Sequence, residues 1–395
     1  MLKTFFRRIR QNRPAALIFT LLLLFPALTA VLSVRADAFS GTSAEGAILI
    51  EASGGDVIYE HNADRRLPMA STTKIMTALC AIESGDIGRR VKVSPAAVGV
   101  EGSSVYLTAG EELTLEDLLY ALMLASANDA ATAIAIEVSG SVEDFAALMN
   151  ERAVSLGCEN THFTNPHGLD NEEHYTTARD LAAITAAALG NETFRTIVST
   201  YKHTIPMPQG GVRLLLNHNR LLRTEENVIG VKTGFTRRSG RCLVTAAERG
   251  GVTVIAVTLH DPDDWRDHSA MLELGLDSYR CEVLAEAGSL SFPVPVAGGT
   301  GEFVIAANDS RLDVCLPADA PTPRRVVNLD RFIFAPITEG DILGYVEWFD
   351  GDGQSIGTLD LIAKESVPVR PRATLWDRIT GFFHKETDDE TIHGQ

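Results

Sequence analysis

Two groups of strand-like segments enclose a long helical insert, and that order confines the chain to an α+β fold. Residues 46–59 carry apolar runs on either side of Ser53-Gly54-Gly55 and read as a β-hairpin. Residues 228–235, 241–248 and 252–259 read as three more strands, joined by Arg238-Ser239-Gly240 and Arg249-Gly250-Gly251. Such short links demand antiparallel pairing, so the segments predict an antiparallel sheet flanked by helices.

Between the two groups the apolar period changes. From Ser71 onward, Ile75, Met76, Leu79 and Ile82 recur at helical spacing until Ser84-Gly85, where glycine suits a helix end. Thr114 opens a second helix, whose Leu115, Leu118, Leu119, Leu122 and Met123 lead to Ser126-Ala127-Asn128, and a third covers 130–138. Ser126 therefore sits on a helix-to-helix connection. Helical patterns also cover 142–156 and 176–190, on either side of a polar stretch at 160–175 that is long enough to line a site. After about residue 282 helical spacing gives way to Val294, Val304, Val314, Val326, Ile333 and the runs 343–348 and 359–362, set between Gly, Pro and Asp turns. These predict a small all-β domain, and its dispersed charges suit a spacer or docking role better than catalysis.

The chain ends carry addresses. Lys3, Arg7, Arg8, Arg10 and Arg13 precede an apolar run at 15–34, which is followed by Ala36-Asp37-Ala38, the order of a secretory signal. Cleavage after Ala38 is expected, with an uncleaved membrane anchor as the alternative; either places the rest of the chain outside the cytoplasm. The removed piece would take six basic residues and one acidic residue, moving the net charge from −17 to −22, so nucleic acid is not an expected partner. At the other end, Leu375, Trp376, Ile379, Phe382 and Phe383 share one helix face, with Arg370, Arg372, Arg378 and Lys385 around it and Pro368 and Pro371 before it. This predicts an amphipathic helix lying in a membrane surface. The expected plan is a signal peptide (1–38), an α+β domain (39–281), a β domain (282–368) and an anchoring tail (369–395).

Five cysteines, Cys80, Cys158, Cys242, Cys281 and Cys315, cannot all pair and form no Cys-x-x-Cys unit, so neither a zinc site nor a disulfide framework is expected. Cys80 and Cys242 lie in apolar runs and read as buried small hydrophobes. Hydrophobic residues at 45% and charged residues at 22% argue against disorder or a polytopic membrane protein.

Chemistry gathers in three short words. Ser71-Thr72-Thr73-Lys74 puts a hydroxyl and an amine on one face of a helix start. A serine needs a base to become a nucleophile, and a lysine serves if burial and a second cation, for which Lys232 is available, lower its pKa. The apolar Leu67-Pro68-Met69-Ala70 before the pair and Ile75-Met76 after it supply that burial. The first helical turn is an unfavourable place for a merely structural cation. Ser126-Ala127-Asn128 alone is ordinary turn composition. Lys232-Thr233-Gly234 on a strand says more, because glycine there marks close approach by another backbone or a ligand.

Together, in this order, the three words match the Ser-x-x-Lys, Ser-x-Asn and Lys-Thr-Gly set of penicillin-recognising serine enzymes. With the segments 68–79, 126–131, 161–170, 175–180 and 230–236 around them, the chain resembles the D-alanyl-D-alanine carboxypeptidases, the low-molecular-mass penicillin-binding proteins. The resemblance implies a penicillin-recognising serine transpeptidase-like domain followed by a small all-β domain. It implies removal of the terminal D-alanine from peptidoglycan stem peptides through a Ser71 ester, with Lys74 as base, Ser126 relaying protons or orienting the leaving amine, and Asn128 holding Lys74 and the substrate amide. Lys232 and Thr233 would meet the substrate's terminal carboxylate, Gly234 would let the strand approach closely, and the backbone N–H groups of Ser71 and Phe235 would form the oxyanion hole. β-Lactams would act as covalent inhibitors, and no metal or cofactor is called for. The enzyme would work on the outer face of the bacterial cytoplasmic membrane.

Some positions depart from the pattern. Ala127 stands where many relatives have Gly or Asp, and Phe235 where some have His. The arginine that helps bind the carboxylate in some relatives has Arg266 as its nearest candidate. His167 reads as structural, since the Ser71/Lys74 pair already moves the protons. A class A-like β-lactamase is the first alternative, but between Asn128 and Lys232 there is no Glu-x-x-Leu-Asn segment to activate deacylating water. A non-catalytic peptidoglycan-binding protein is the second, opposed by the intact motifs.

Overall fold

A computed structural model describes residues 39–372; the signal expected over 1–38 and the amphipathic helix expected over 375–383 lie outside them. The five expected strands assemble into one antiparallel sheet in the order Val57–His61, Gly46–Glu51, Val252–Leu259, Gly240–Arg249, Val228–Thr236. The strand bearing Lys232-Thr233-Gly234 is thus an edge strand. Its outer side faces the helical insert, which brings the first and last motifs together although about 160 residues separate them.

The insert follows the sequence pattern. A 3₁₀ turn, Ala70–Thr73, runs directly into the helix Lys74–Glu83, in which every residue from Lys74 to Ile82 is buried. Leu115–Leu124 begins at a capping box: the Thr114 hydroxyl accepts from the Asp117 N–H at 3.0 Å and the Asp117 carboxylate accepts from the Thr114 N–H at 3.0 Å. Asn128–Ser139, Val142–Ser155 and Ala178–Leu189 complete the expected helices. Leu79, Leu118, Leu122, Ile134, Phe145 and Ile184 pack with Ile48, Val244 and Ile255 of the sheet into one apolar core.

Elements without a clear signal in the sequence include the strand pair Arg90–Lys92 with Glu112–Thr114, the helix Glu192–Ser199, a hairpin of Lys202–Pro206 with Val212–Leu216, the short helix Leu221–Thr224 and the helix Asp264–Ser278. The last packs on the sheet, where a β-carbon on Gly275 would meet Val254 Cγ1 at 3.0 Å. Its buried His268 stands between Thr245 Oγ1 at 2.6 Å and Thr258 Oγ1 at 2.9 Å, and burial pulls its pKa down to about 3.

Beyond this helix the strands Tyr279–Ala285 and Leu312–Pro317 pair with each other, and the first of them crosses residues 281 and 282, where the sequence places a boundary. A six-stranded sheet follows, ordered Arg324–Leu329, Ile342–Phe349, Ser355–Ala363, Phe303–Ala307, Ser291–Ala297, Ile333–Phe334. It has its own apolar core around Val294, Val304, Val346, Trp348 and Leu361. Cys281 and Cys315 face each other across the first strand pair and form a disulfide, a single bond where the cysteine count led to no disulfide framework. Counting cysteines gives their parity and not their register. Cys80, Cys158 and Cys242 are free and buried, and burial raises each thiol to about 12. No helix among the described residues is long and apolar enough to cross a membrane.

Candidate active site

Ala70, immediately before Ser71, holds φ at 47°, a left-handed conformation that costs a residue with a side chain. The surroundings fix it there. His174 Nδ1 accepts from the Thr164 N–H at 3.0 Å, so the hydrogen of this imidazole is on Nε2, which donates to Thr73 Oγ1 at 2.8 Å. Thr73 in turn donates to the Ala70 carbonyl at 2.8 Å. Burial first, and then the fields of His162 and Lys74, hold His174 down at about 4, so it stays neutral and keeps this tautomer. The motifs give no hint of His174, because its contact is made 101 residues away.

Lys74 is fully buried one helical turn from Ser71. Its Nζ lies 3.0 Å from Ser71 Oγ, 2.7 Å from Asn128 Oδ1 and 2.6 Å from the His167 carbonyl oxygen. Desolvation, followed by repulsion from Lys232, holds its pKa well below the ordinary lysine value, with Asp129 opposing weakly. A neutral amine has two hydrogens and one lone pair. Asn128 and His167 can accept only hydrogens, so together they leave the lone pair facing the Ser71 hydroxyl. The His167 contribution is its backbone; its imidazole Nδ1 accepts from the Leu169 N–H, and burial takes it down to about 3.

Asn128 is pinned from its other end, its Nδ2 donating to the Glu101 carbonyl at 2.5 Å. Gly102 leaves room for that amide, since a β-carbon there would stand 2.7 Å from Nδ2. The next residue, buried Asp129, accepts from Ser104 Oγ at 2.6 Å and from the Leu107 N–H at 3.0 Å, tying the 101–107 loop to the helix start. Ser126 holds φ at 57° at the connection and presents its side chain to the same cleft as Ser71.

The edge strand closes the site. A β-carbon on Gly234 would lie 3.1 Å from both the Ser71 nitrogen and the Met69 carbonyl oxygen, so a side chain there would prise the strand from the nucleophile turn. Lys232 is buried, donates to the Thr233 carbonyl at 2.8 Å, and is lowered by desolvation to about 7. Ser71, Ser126, Thr233, Gly234 and Phe235 line a cleft of about 290 Å³, with Phe235 67% exposed at its mouth. Lys74, Asn128 and Lys232 are buried beside it. All eight residues singled out from the sequence therefore converge.

Arg266 does not join them. It is 70% exposed and pairs with Asp263 and Asp267 at 3.1 Å. The guanidinium in the cleft belongs to Arg241, directly opposite Phe235 in the strand register. It pairs with Asp264 at 2.7 Å and lies over the Trp265 ring at 5.6 Å. The register of two adjacent strands is the signal that could have found it. His218 also lines the cleft, between Asn217 and Asn219, whose buried side chains donate to the carbonyls of Val198 and Gly230 at 3.1 and 2.9 Å. Burial, then Lys232, lowers its pKa.

A larger recess of about 780 Å³ surrounds Cys281 and Cys315 where the two sheets meet, but its lining offers no activated nucleophile. Among the described residues no three His, Cys, Asp or Glu side chains converge as metal ligands would.

The profile of the D-alanyl-D-alanine carboxypeptidase family matches residues 33–263. The chain is 32% identical to the D-alanyl-D-alanine carboxypeptidase DacF of Bacillus subtilis over 352 residues, covering 87% of this chain and 90% of that one. It is 39% identical to the D-alanyl-D-alanine carboxypeptidase of a Streptomyces strain over 222 residues, 52% of this chain and 76% of the other. Among solved structures, penicillin binding protein 5 of Haemophilus influenzae superposes with a TM-score of 0.63 at 26% identity, covering 83% of this chain and 98% of its own.

Proposed function

This chain belongs to the D-alanyl-D-alanine carboxypeptidase family of serine peptidases, and we propose that Ser71 is its nucleophile and Lys74 the base that activates it. The family membership makes it a penicillin-binding hydrolase that acts on peptidoglycan stem peptides ending in D-alanyl-D-alanine; we infer from the signal-like order of residues 1–38 that it does so outside the cytoplasm. The observation that carries the site assignment is the position of Lys74 Nζ, 3.0 Å from Ser71 Oγ with its hydrogens directed at Asn128 and the His167 carbonyl.

In this reading Ser71 Oγ adds to the carbonyl carbon between the two D-alanines while its proton passes to Lys74 Nζ. The oxyanion is met by the backbone N–H groups of Ser71 and Phe235, each worth roughly 3 kcal/mol in comparable sites. The proton then moves, through Ser126, to the departing amine, the C–N bond breaks and free D-alanine leaves. Water adds to the remaining Ser71 ester, giving up its proton to the same lysine, and the shortened peptide departs with a new carboxylate as Ser71 recovers its hydrogen. Lys232 and Thr233 hold the substrate's terminal carboxylate. Arg241 takes the part for which the sequence offered Arg266; its place in the cleft beside Phe235 supports this.

A β-lactam presents the same carboxylate and carbonyl, so it acylates Ser71 and stays. Mass spectrometry of a diacetyl-Lys-D-Ala-D-Ala digest, with and without penicillin, tests reaction and inhibitor together. Loss of one D-alanine, abolished by penicillin and by Ser71→Ala, is expected; full release by Ser71→Ala would defeat the assignment. Rapid, sustained nitrocefin turnover would favour the β-lactamase alternative, which the relatives do not support.

We further infer that residues 282–368 act as a spacer and that the tail from 369 lies in the outer membrane leaflet, holding the cleft toward the wall. The separate apolar core of the β portion and the basic, amphipathic sequence of the tail support this reading.

A further inference from the structure

The six-stranded sheet leaves large apolar side chains exposed at one end. Phe332 is 52% and Phe334 72% exposed, and their rings meet edge to face with centroids 5.3 Å apart. Ile333 between them is half-buried and packs against the β core, so strand alternation turns both phenylalanines to one side. Phe334 pairs with Ala297, and exposed Phe303 pairs with Pro295 on the opposite flank of the same strand. Just beyond, exposed Val369 bridges Gly299, and the Arg370 N–H donates to the Gly298 carbonyl at 2.8 Å. Four exposed apolar side chains thus surround residues 295–299, where the described chain makes its last contacts before Arg372.

The opposite end of that strand, Ser291, follows from Tyr279–Ala285 at the junction with the peptidase sheet. Along the chain, the aromatic end is therefore the end of this strand farther from that junction. The sequence continuing from it carries Leu375 and Trp376, with Arg370 and Arg372 before them, and Arg331 precedes Phe332. Aromatic rings interleaved with exposed cations are what the headgroup boundary of a bilayer accommodates, the ring in the acyl margin and the cation at the phosphates.

We propose that Phe332 and Phe334 seat this protein on a lipid bilayer as a second contact beside the tail. The proposal rests on the tail reading only for the choice of partner. One amphipathic segment on a proline-bearing link binds reversibly and lets the body pivot. A second apolar contact in the same plane raises residence and fixes the sheet upright.

The test uses protein matured by an exporting host and vesicles of phosphatidylethanolamine with phosphatidylglycerol. Phe332→Ser/Phe334→Ser is expected to lower the vesicle partition coefficient at least about fivefold and to leave hydrolysis of a soluble D-Ala-D-Ala peptide unchanged. In parallel, Phe334→Cys carries an environment-sensitive fluorophore, the native free thiols being buried. Vesicles are expected to shift its emission to the blue, and acyl-chain nitroxides to quench it. An unchanged partition coefficient, a label that stays in water with vesicles present, or a blue shift already complete without vesicles, which would place the tail on the patch, each overturns the proposal. Trp376→Ser/Phe382→Ser/Phe383→Ser tests the tail separately: if that variant partitions like the parent, the tail reading fails while the label at 334 still decides this one.

Discussion

A β-carbon on Gly168 would stand 1.9 Å from the carbonyl oxygen of Ala70. The loop that supplies the His167 carbonyl to Lys74 is therefore in backbone contact with the residue before the nucleophile, and no side chain fits between them. Gly168→Ala is expected to cost more than about 3 kcal/mol or to displace the Ser71 turn, slowing acylation by fluorescent penicillin at least about a hundredfold. Gly210→Ala is the control. It has a similar φ, +89° against +87°, but open space around it, so it should lose only about 1–2 kcal/mol and label normally. Equal effects from the two would refute the packing argument.

Asn128→Asp places a carboxylate against Lys74 where an amide oxygen now accepts. An opposite charge at 2.7 Å favours the ammonium form, so the base deprotonates only at higher pH. The acylation rate, which rises with pH as Lys74 loses its proton, should rise one or more pH units later than in the parent. Stopped-flow labelling across pH 5–10 measures this, and coincident profiles would exclude Lys74 as the titrating base.

Lys232 contributes a pH-dependent penalty to folding. Its pKa is about 7 in the fold against 10.5 ordinarily. Below pH 7 both states carry the proton and the penalty is full; as pH rises from about 7 toward 10 the folded state binds fewer protons than the unfolded one, so stability climbs. Lys232→Met should be more stable than the parent at pH 6, on the order of 4 kcal/mol, with the gap narrowing toward pH 10. Denaturant unfolding at several pH values checks this, and parallel curves would contradict it. Binding of an anionic peptide end should be lost in the same variant.

Arg241→Ala should reduce kcat/KM for a peptide ending in D-Ala-D-Ala by about tenfold to a hundredfold. Arg266→Ala should leave it within about twofold, because its exposed guanidinium already pairs with Asp263 and Asp267 and does not line the cleft. The reverse ranking would return the carboxylate contact to Arg266.

Cys281 and Cys315 close a loop with a sequence separation of 34. Restriction of the unfolded chain by such a loop is worth roughly 3–4 kcal/mol. Cys281→Ser/Cys315→Ser should melt at lower temperature than the parent, and reductant should lower the parent toward the variant without affecting the variant itself. No difference between oxidised and reduced parent would count against the bond.

What the sequence disclosed, and what it hid, divides along local and long-range information. Ser71 and Lys74, Ser126 and Asn128, and the run from Lys232 to Phe235 are each within one turn or one strand, so a short word carries both chemistry and geometry. The strands of the main sheet were legible because Gly-containing turns punctuate them and their residues are largely apolar, whereas those of the hairpin Lys202–Pro206 and Val212–Leu216 leave every second residue exposed. The helix Asp264–Ser278 was not, because it buries Asp264, Asp267 and His268 in polar pockets against the sheet and so breaks the apolar period. Arg241 was hidden because its role depends on strand register, and His174 because it acts on Ala70 through Thr73, far away in the chain. Cys281 and Cys315 needed the pairing of two strands before their partnership was apparent.

The pKa of about 7 at Lys232 has a consequence for the encounter itself. On the roles proposed here, part of the cleft population at neutral pH holds Lys232 uncharged and offers only the Arg241 guanidinium, so capturing an anionic peptide end at both cations draws a proton from the medium. Binding enthalpy should then vary with the ionisation heat of the buffer. Acidity in the wall would tighten the grip at Lys232 while silencing the amine at Lys74, and the working range of the enzyme is bracketed by these two opposing demands.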